Sequence, residues 1–428
     1  MKPATALKVE IDVRIGEAGI PVGTLTYVRQ GHRENTAFAY AASWLKSAER
    51  FPVSPDLVLT SDHQFRKAPS KDDSVFPFAL ADTEPDAWGR RIIMRAHARR
   101  RKTDPQLSAL AEVDFLLAVD DFSRIGALRL QDGTGNYHRT VAKGQRATPP
   151  LVELQRMYEA TRAVENGEES ESDLKYLQGK GTSLGGMRPK CTVLDADGTL
   201  AIGKFPSIND ERSVTRGEVL ALMLSKAAGI DTAAARIVEL ERTPVAIITR
   251  FDRASNHGRI PYLSASSMLQ ASRQDERTYV EVADAIRSQG FRPEEDTAQL
   301  WRRLVFNLMI TNIDDHLNNL GFLHVQKGLW RLAPAFDVNP FPDRDRESKT
   351  MLSDQTGPIT DIDMLMAEAR YFGLGDAAAR KVLGEVCAAV SRWRQLAVSP
   401  EIGLTLKELG DFEQAFEHNQ MERAQRLI

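Results

Sequence analysis

An aspartate, an asparagine and a second aspartate in the later half of the chain are spaced as magnesium-dependent phosphoryl transfer requires. Asp314 and Asn319 lie in the run DDHLNN, and Asp337 follows at the end of APAFD. In such a reaction one carboxylate accepts the proton of the attacking hydroxyl, while an amide and a further carboxylate hold the metal that neutralises the phosphates. The pattern therefore predicts Asp314 as the catalytic base and Asn319 and Asp337 as Mg²⁺ ligands.

The segments around these residues predict how they meet. A helix with one apolar face (297–311) ends just before Asp314, where the helix dipole does not favour a carboxylate. The position of Asp314 is therefore explained better by a functional site than by helix capping. A hairpin over residues 320–332 would bring Asp337 back beside Asn319.

A lysine on the apolar face of a strand also points to this chemistry. In the strand predicted over residues 199–205, Lys204 shares a face with Leu200 and Ile202 by period-two alternation. A buried, unpaired charge is costly, so this amine needs partners. Phosphate oxygens together with Glu218 on the following helix would supply them. The alternative is a strand-end lysine that extends to water.

The run GKGTSLGG at residues 179–186 is a glycine- and serine-rich loop ahead of that strand. Its backbone amides, including those of Gly185 and Gly186, could face the phosphates of a nucleotide. Lys190, where the loop ends, is a second candidate contact to phosphate, with a solvated surface lysine as the alternative. Glycine-rich turns are mostly only turns, so this prediction depends on the loop's position one hairpin before Lys204.

The run TRFDR (249–253) ends a second predicted hairpin and would connect two lobes. A connector of this kind should hold adenine through its backbone, and Thr249 and Phe251 are the candidates. The alternative is an ordinary strand end with a surface ion pair between an arginine and an aspartate.

A hydrolytic metal site built from Asp314, Asp315, His316 and Asp337 is another possible use of these residues. It would leave Lys204 and the glycine-rich loop without a role, so it ranks below phosphoryl transfer. We expect His316 to form hydrogen bonds at the nucleotide site rather than to bind a metal, and Asp315 to be solvated.

A basic run on or after a predicted helix could contact nucleic acid or an acidic partner. Its members are Arg90, Arg91, Arg95, Arg99, Arg100, Arg101 and Lys102. A solvated basic helix end is the commoner explanation.

The composition is that of an ordinary globular protein. The chain has 428 residues, 42% of them hydrophobic and 27% charged, and a net charge of −3, which gives no overall attraction to DNA or membranes. Two isolated cysteines, Cys191 and Cys387, form neither a disulfide framework nor a zinc cluster and fit a reducing cytoplasm. We expect no signal peptide and no membrane span, because no apolar run approaches roughly 18 residues.

The order of the predicted elements indicates an α+β protein with a protein-kinase-like, two-lobed fold. Residues 1–148 begin with alternating strands and would form an N-terminal accessory subdomain. A loop, two hairpins and a helix would form the small lobe over residues 149–252, and helices dominate the large lobe at 253–428.

Taken together, these stretches resemble the HipA family of bacterial serine/threonine kinase toxins. The matching segments follow the family's order along nearly the whole chain, as DTEPDAWGRR (82–91), SLGGMRPK (183–190), IGKFP (202–206), RFDR (250–253), DDHLNN (314–319) and PAFD (334–337). Arg188 and Pro189 depart from the family pattern in the loop, as does Thr249, where some members have an acid. None of these departures touches the catalytic set, so an active enzyme is expected.

The resemblance implies an ATP- and Mg²⁺-dependent kinase with Asp314 as its base, Asn319 and Asp337 on the metal and Lys204 on the ATP phosphates. It also implies that Ser183, in the glycine-rich loop, can be autophosphorylated, which would place about two negative charges where the ATP phosphates sit. The implied partners are a HipB-like helix-turn-helix antitoxin, operator DNA bound through it, and a protein substrate, usually an aminoacyl-tRNA synthetase.

Two other functions use the same features. A small-molecule kinase of the aminoglycoside-phosphotransferase kind would share the Asp–Asn–Asp set. A non-enzymatic corepressor would act with the DNA-binding antitoxin and use the basic run at 90–102.

Overall fold

The computed structural model describes residues 6–140, 148–178, 186–254 and 258–428. Within these ranges the strands form four separate antiparallel sheets, and helices dominate after residue 265. The linker predicted at 142–150 lies mostly outside the described residues, as does the glycine-rich loop up to residue 185.

A five-stranded sheet organises the N-terminal part of the chain. Its strands are β1 (Leu7–Ile15), β2 (Ile20–Gln30), β3 (Arg33–Tyr40), β4 (Gln64–Arg66) and β5 (Leu128–Gln131), in the spatial order β4-β3-β2-β1-β5. Alternation in β1 places Ile11, Val13 and Ile15 in the core. The helices of this part are α1 (Ala42–Lys46), α2 (Phe78–Ala81), α3 (Ala87–Thr103) and α4 (Glu112–Ala118).

The start of α3 corrects one prediction from the sequence. Asp82 and Thr83 have side chains that can cap a helix and precede Pro85, so the sequence predicts the cap of this helix at one of them. The helix is instead capped by Asp86, whose carboxylate accepts a hydrogen bond from Gly89 N at 2.7 Å. Asp82 instead accepts hydrogen bonds from the backbone N and the hydroxyl of Ser264, both at 2.8 Å. Asp82 therefore joins the N-terminal part to the helical part of the chain.

The middle of the chain forms a four-stranded sheet packed on helices. Its strands are β6 (Lys190–Leu194), β7 (Leu200–Lys204), β8 (Ala235–Leu240) and β9 (Thr243–Thr249), in the order β6-β7-β9-β8. The accompanying helices are α5 (Leu154–Asn166), α6 (Glu171–Gln178) and α7 (Val214–Ala227). Both predicted hairpins and the helix between them are confirmed, with ends that differ by one or two residues.

The last part is mostly helical, with two small sheets beside the helices. Its strands are β10 (Tyr262–Ser264), β11 (Gly321–Gln326), β12 (Leu329–Leu332), β13 (Met351–Ser353) and β14 (Gly357–Pro358). The helices are α8 (Ala265–Met268), α9 (Tyr279–Gln289), α10 (Pro293–Met309), α11 (Ile362–Glu368), α12 (Asp376–Val390), α13 (Trp393–Ala397), α14 (Leu406–Leu409), α15 (Glu413–Phe416) and α16 (Asn419–Leu427). The buried helix predicted over 297–311 is confirmed as α10.

One hydrophobic core runs from the N-terminal sheet to the C-terminal helices. At its edge Phe51 stacks on His324 with ring centroids 3.8 Å apart, so the N-terminal part packs directly on the small sheet of the mostly helical part. The boundaries predicted at residues 148 and 252 stay predictions. None of the helices in the described ranges combines the length and the apolar character that crossing a bilayer requires.

Candidate active site

Lys204 lies at the end of β7 and binds two carboxylates from different elements. Its Nζ donates to Oε1 of Glu218 on α7 at 2.5 Å and to Oδ1 of Asp337 at 2.6 Å. Because β7 is buried along its whole length between β6 and β9, its last side chain reaches inward and not to water. The predicted pairing with Glu218 is confirmed, and the alternative of a strand-end lysine extending to solvent is wrong.

These charges keep the amine protonated and one acid ionised. Burial alone would lower the pKa of Lys204, but the carboxylates of Asp337 and Glu218 raise it above its ordinary value. Burial alone would raise the pKa of Asp337, yet Lys204 and Lys190 hold it below its ordinary value. Burial raises the pKa of Glu218, the second acid on this amine, above its ordinary value although the charge of Lys204 acts in the opposite direction.

Asp337 is held in an uncommon backbone conformation. Its φ is 54°, in the left-handed region that residues other than glycine rarely adopt, although aspartate tolerates it better than most. The preceding Phe336 packs on Phe251 with ring centroids 5.3 Å apart, and Lys204 fixes the carboxylate. Strain of this kind persists where the surroundings over-determine it, which is common at functional sites.

The segment after α10 carries Asp314, His316 and Asn319. A short 3₁₀ turn lets Asn319 fold back, so that its Nδ2 donates to the carbonyl oxygen of Asp314 at 2.8 Å. The carboxylate of Asp314 binds the Nζ of Lys349 and lies 3.9 Å from Nε2 of His316. His316 and the two predicted metal ligands, Asn319 and Asp337, line one pocket. Asp314 adjoins this pocket through the hydrogen bond that its carbonyl oxygen accepts from Asn319.

Asp315 corrects a second prediction, because it is buried and not solvated. Its Oδ2 accepts from the hydroxyl of Tyr279 at 2.8 Å, and its Oδ1 accepts from the backbone N of Lys349 at 2.8 Å. Burial raises the pKa of Asp315 to about 6. Sequence inspection missed the contact of Lys349 with this loop, since a single lysine far downstream carries no spacing that would reveal it.

The end of the glycine-rich loop is tied to the N-terminal part of the chain. Nζ of Lys190 donates to Oδ2 of Asp86 at 3.0 Å and to the carbonyl oxygen of Gly186 at 3.2 Å. Lys190 is only 2% exposed, so the alternative of a solvated surface lysine is wrong. The predicted site residues Ser183 and Gly185 lie outside the described residues.

The connector after β9 is built differently from a simple strand end. Arg250 and Asp252 form a buried ion pair with contacts of 2.5 and 2.8 Å, so the alternative of a surface ion pair is wrong. Thr249 ends β9 with its backbone N bonded to Ala234 O at 2.8 Å, and Phe251 packs on the residue before Asp337. The adenine contacts predicted for Thr249 and Phe251 stay predictions.

Acidic partners occupy the first half of the basic run. Arg90 binds Glu84 and Glu112, both at 2.8 Å, and Arg95 binds Glu169 at 2.6 Å. The run is exposed only from residue 99 onward. The solvated basic helix end is confirmed for residues 99–102 and is wrong for Arg90 and Arg95. The surface left for an acidic partner is these last four residues of the run.

The oxygen atoms at the pocket suit Mg²⁺. Asn319 donates through Nδ2, so its Oδ1 is the amide atom that can face a cation, and Asp337 adds one carboxylate. Mg²⁺ prefers oxygen donors and commonly takes its remaining ligands from phosphates and water. In the described ranges, this pocket included, no group of three or more His, Cys, Asp or Glu residues is arranged to hold a metal by itself. Since Asp315 faces Tyr279, the geometry favours an amide and one carboxylate over a multi-acid hydrolytic centre.

Sequence comparisons agree along most of the chain. The model of the HipA N-terminal domain matches residues 12–132, and that of the HipA-like C-terminal domain matches residues 182–393. Y4mE of Sinorhizobium fredii, a protein named as a proposed kinase, is 24% identical over 342 residues, which are 74% of each chain.

Structural comparison gives the same result for the fold. A HipA of Shewanella oneidensis MR-1, solved with HipB and its operator DNA, matches with a TM-score of 0.69 over 97% of each chain, at 14% identity. CtkA, a proinflammatory kinase of Helicobacter pylori, is more distant, with a TM-score of 0.41 and 15% identity over 56% of this chain and 90% of its own. The chain therefore belongs to the HipA family and has the fold of the Shewanella HipA.

Proposed function

We propose that this protein is an ATP- and Mg²⁺-dependent serine/threonine protein kinase that acts as the toxin of a bacterial toxin–antitoxin pair. The observation that carries the proposal is Lys204, which binds Glu218 and Asp337 together beside the loop of Asp314 and Asn319. A lysine–glutamate pair, a metal aspartate and an Asp–Asn loop are the parts that protein kinases use for phosphoryl transfer.

The nucleotide would lie between the two lobes, with its phosphates near Lys204. Asn319 and Asp337 would hold Mg²⁺, which neutralises phosphate charge when bound. Lys190 and Gly186 close the glycine-rich loop next to this cluster, so both are proposed to face the phosphates. His316 would contact the nucleotide from the loop, and the backbone of Thr249 and Phe251 would hold adenine.

The proposed reaction transfers the γ-phosphoryl group of ATP to a serine or threonine hydroxyl. Asp314 orients the hydroxyl and accepts its proton as the hydroxyl oxygen forms the new bond to phosphorus. The bond from that phosphorus to the oxygen it shares with the β-phosphate breaks, and ADP leaves with the electron pair. The exposed side chain of Asp314 is accessible to a protein substrate, with 39% of its surface open to solvent.

The proposed partners follow from family membership. A HipB-like helix-turn-helix antitoxin would bind the chain and hold it on operator DNA, as the Shewanella structure contains HipA, HipB and operator DNA. The proposed target is an aminoacyl-tRNA synthetase in the cytoplasm, whose phosphorylation would stop translation. Autophosphorylation is proposed at Ser183, where the added charge would compete with the ATP phosphates.

Phosphate transfer by the purified protein tests the activity. Wild type and Asp314→Asn are incubated with Mg²⁺ and radiolabelled ATP and with either a panel of bacterial aminoacyl-tRNA synthetases or aminoglycosides. We expect the wild type to transfer the radiolabel to one synthetase and Asp314→Asn to transfer none. Label on aminoglycosides alone would assign a small-molecule kinase. Full toxicity of Asp314→Asn in cells would assign a non-enzymatic corepressor.

Intact-mass measurement tests the autophosphorylation. With ATP and Mg²⁺, the wild type should gain the mass of one phosphate, and Ser183→Ala should gain none. An unchanged gain in Ser183→Ala would remove Ser183 from this role while leaving the kinase assignment in place.

A further inference from the structure

The ammonium group of Lys349 binds the carboxylate of Asp314 from a segment 35 residues downstream. We infer that Lys349 is a further catalytic residue, which stabilises the charge of the transferring phosphoryl group and orients the base. This inference rests on the proposed kinase function and assigns a role to a residue that the sequence motifs do not include.

The backbone of Lys349 is docked beside the base. Its N donates to Oδ1 of Asp315 at 2.8 Å, and the hydroxyl of Thr350 donates to the carbonyl oxygen of Asp315 at 2.9 Å. Because Asp315 is the neighbour of Asp314 in the chain, these bonds fix where the side chain of Lys349 begins relative to the base.

Asp315 is itself fixed by a buried tyrosine. The hydroxyl of Tyr279, on α9, lies 2.8 Å from both the carbonyl oxygen and Oδ2 of Asp315. Tyr279 is 3% exposed and Asp315 is 6% exposed, so water competes little for these bonds. A continuous set of contacts therefore runs from α9 through Asp315 to Lys349 and Asp314.

The segment is also held from its other side. The hydroxyl of Ser348 donates to the carbonyl oxygen of Thr350 at 2.6 Å and accepts from the backbone N of Ile359 at 2.7 Å. Strand β13 follows immediately and pairs with β14. The main chain is thus ordered on both sides of Lys349, whose own side chain is 57% exposed.

Stability does not explain this contact. An exposed ion pair contributes about 0–1 kcal/mol to the stability of the fold. If Lys349 served only that stability, its backbone would not need to be fixed by the buried Asp315 and Tyr279. In phosphoryl transfer, negative charge spreads over the oxygens of the moving group, close to the base that takes the hydroxyl proton. An ammonium group fixed at the base is placed to offset that charge, from a different element than Lys204.

Kinetics of Lys349→Ala and Lys349→Arg test the inference, with Lys381→Ala on the exposed face of α12 as the matched control. Transfer from Mg²⁺–ATP is followed as ADP release, and nucleotide affinity is measured with a non-hydrolysable ATP analogue. Lys349→Ala should lower kcat by about 10²-fold, as loss of one charge-stabilising donor does. Its affinity for the analogue and its melting temperature should match those of the control. Lys349→Arg should retain part of the activity.

Two results would overturn the inference. Activity of Lys349→Ala equal to that of Lys381→Ala would show that the amine does not take part. A rise in activity would show that Lys349 instead covers the base and inhibits it. A wild type no more active than Asp314→Asn would overturn the proposed kinase function as well, so the two failures are distinguishable.

Tyr279→Phe tests the positioning step. Its loss of activity should appear in kcat and not in nucleotide affinity. Combined with Lys349→Ala, it should cause little further loss, because both changes act through one set of contacts. Additive losses would show that Tyr279 does not act through Lys349.

Discussion

Lys190, at the start of β6, donates a hydrogen bond of 3.0 Å to Oδ2 of Asp86, the residue that caps α3. The other oxygen of Asp86 accepts from Gly89 N at 2.7 Å, and the lysine amine also reaches the carbonyl oxygen of Gly186. One carboxylate of the N-terminal part therefore fixes both a helix terminus and the end of the glycine-rich loop. A residue of the N-terminal part therefore helps to hold Gly186, where that loop ends.

Asp86→Asn should destabilise the protein and weaken nucleotide binding. The change leaves Lys190 buried without its counter-charge, and breaking a buried pair in this way costs about 3–5 kcal/mol. The melting temperature should fall, and affinity for a non-hydrolysable ATP analogue should fall with it. Asp62→Asn, in an exposed N-terminal loop, is the matched control. Unchanged affinity in Asp86→Asn would mean that the loop is positioned without this contact.

Lys204→Met should lower kcat/KM for ATP by about 10²-fold or more, because it removes the cation that is proposed to face the phosphates. Glu218→Gln should have a smaller effect, since Asp337 still binds the amine of Lys204. Steady-state kinetics at varied ATP measure both. Lys226→Met, at the exposed end of the same helix as Glu218, controls for the loss of a lysine. Equal kcat/KM in Lys204→Met and the control would show that the cluster of Lys204, Glu218 and Asp337 takes no part in catalysis.

The connector between the lobes is fixed by an ion pair that also binds the N-terminal part. Oδ2 of Asp252 accepts from Gly126 N at 2.7 Å, and Arg250 donates to the carbonyl oxygens of Ser123 and Arg124. Burial alone would raise the pKa of Asp252, but Arg250 and its neighbour Arg253 hold it well below the ordinary value. The stabilisation is therefore present above the pKa of an unfolded aspartate and is lost as pH falls through the lower, folded value.

Asp252→Asn should lower the melting temperature at neutral pH, because two buried arginines lose their counter-charge, at a cost of about 3–5 kcal/mol. Thermal unfolding checks this, with the exposed Asp345→Asn as control. A melting temperature equal to that of the control would show that the pair contributes no net stability.

The local part of this architecture could be predicted from the sequence. Alternation identified β7 and the face that carries Lys204, and the cost of an unpaired buried charge was enough to predict Glu218 as its partner. The hairpin before Asp337 followed from two short apolar runs around a turn. These features depend on residues close together in the chain, so periodicity and turn chemistry are enough to find them.

Contacts between distant segments could not be predicted in this way. Asp315 and the Arg250–Asp252 pair look like solvated residues in the sequence, yet Tyr279 covers the first and the N-terminal part covers the second. Whether a polar turn faces water depends on which segment packs over it, and pattern alone does not contain that information. The pairing of Lys190 with Asp86, 104 positions apart, is of the same kind.

Asp120 provides a test of pH dependence away from the site. It is 2% exposed, and burial raises its pKa to about 6, although Ser123 N donates to its Oδ1 at 3.0 Å. Since the folded state holds this proton more tightly than the unfolded chain, stability is lost as pH rises from about 4 to about 6. Asp120→Asn keeps an acceptor for Ser123 N but cannot ionise. The free energy of unfolding of Asp120→Asn, relative to that of the wild type, should rise by up to roughly 3 kcal/mol between about pH 4 and pH 7. The melting temperature of the variant should therefore rise relative to that of the wild type over this pH range. Asp132→Asn, on an exposed turn, should show no such gain, and a constant difference for Asp120→Asn would mean that the folded state does not hold this carboxyl neutral.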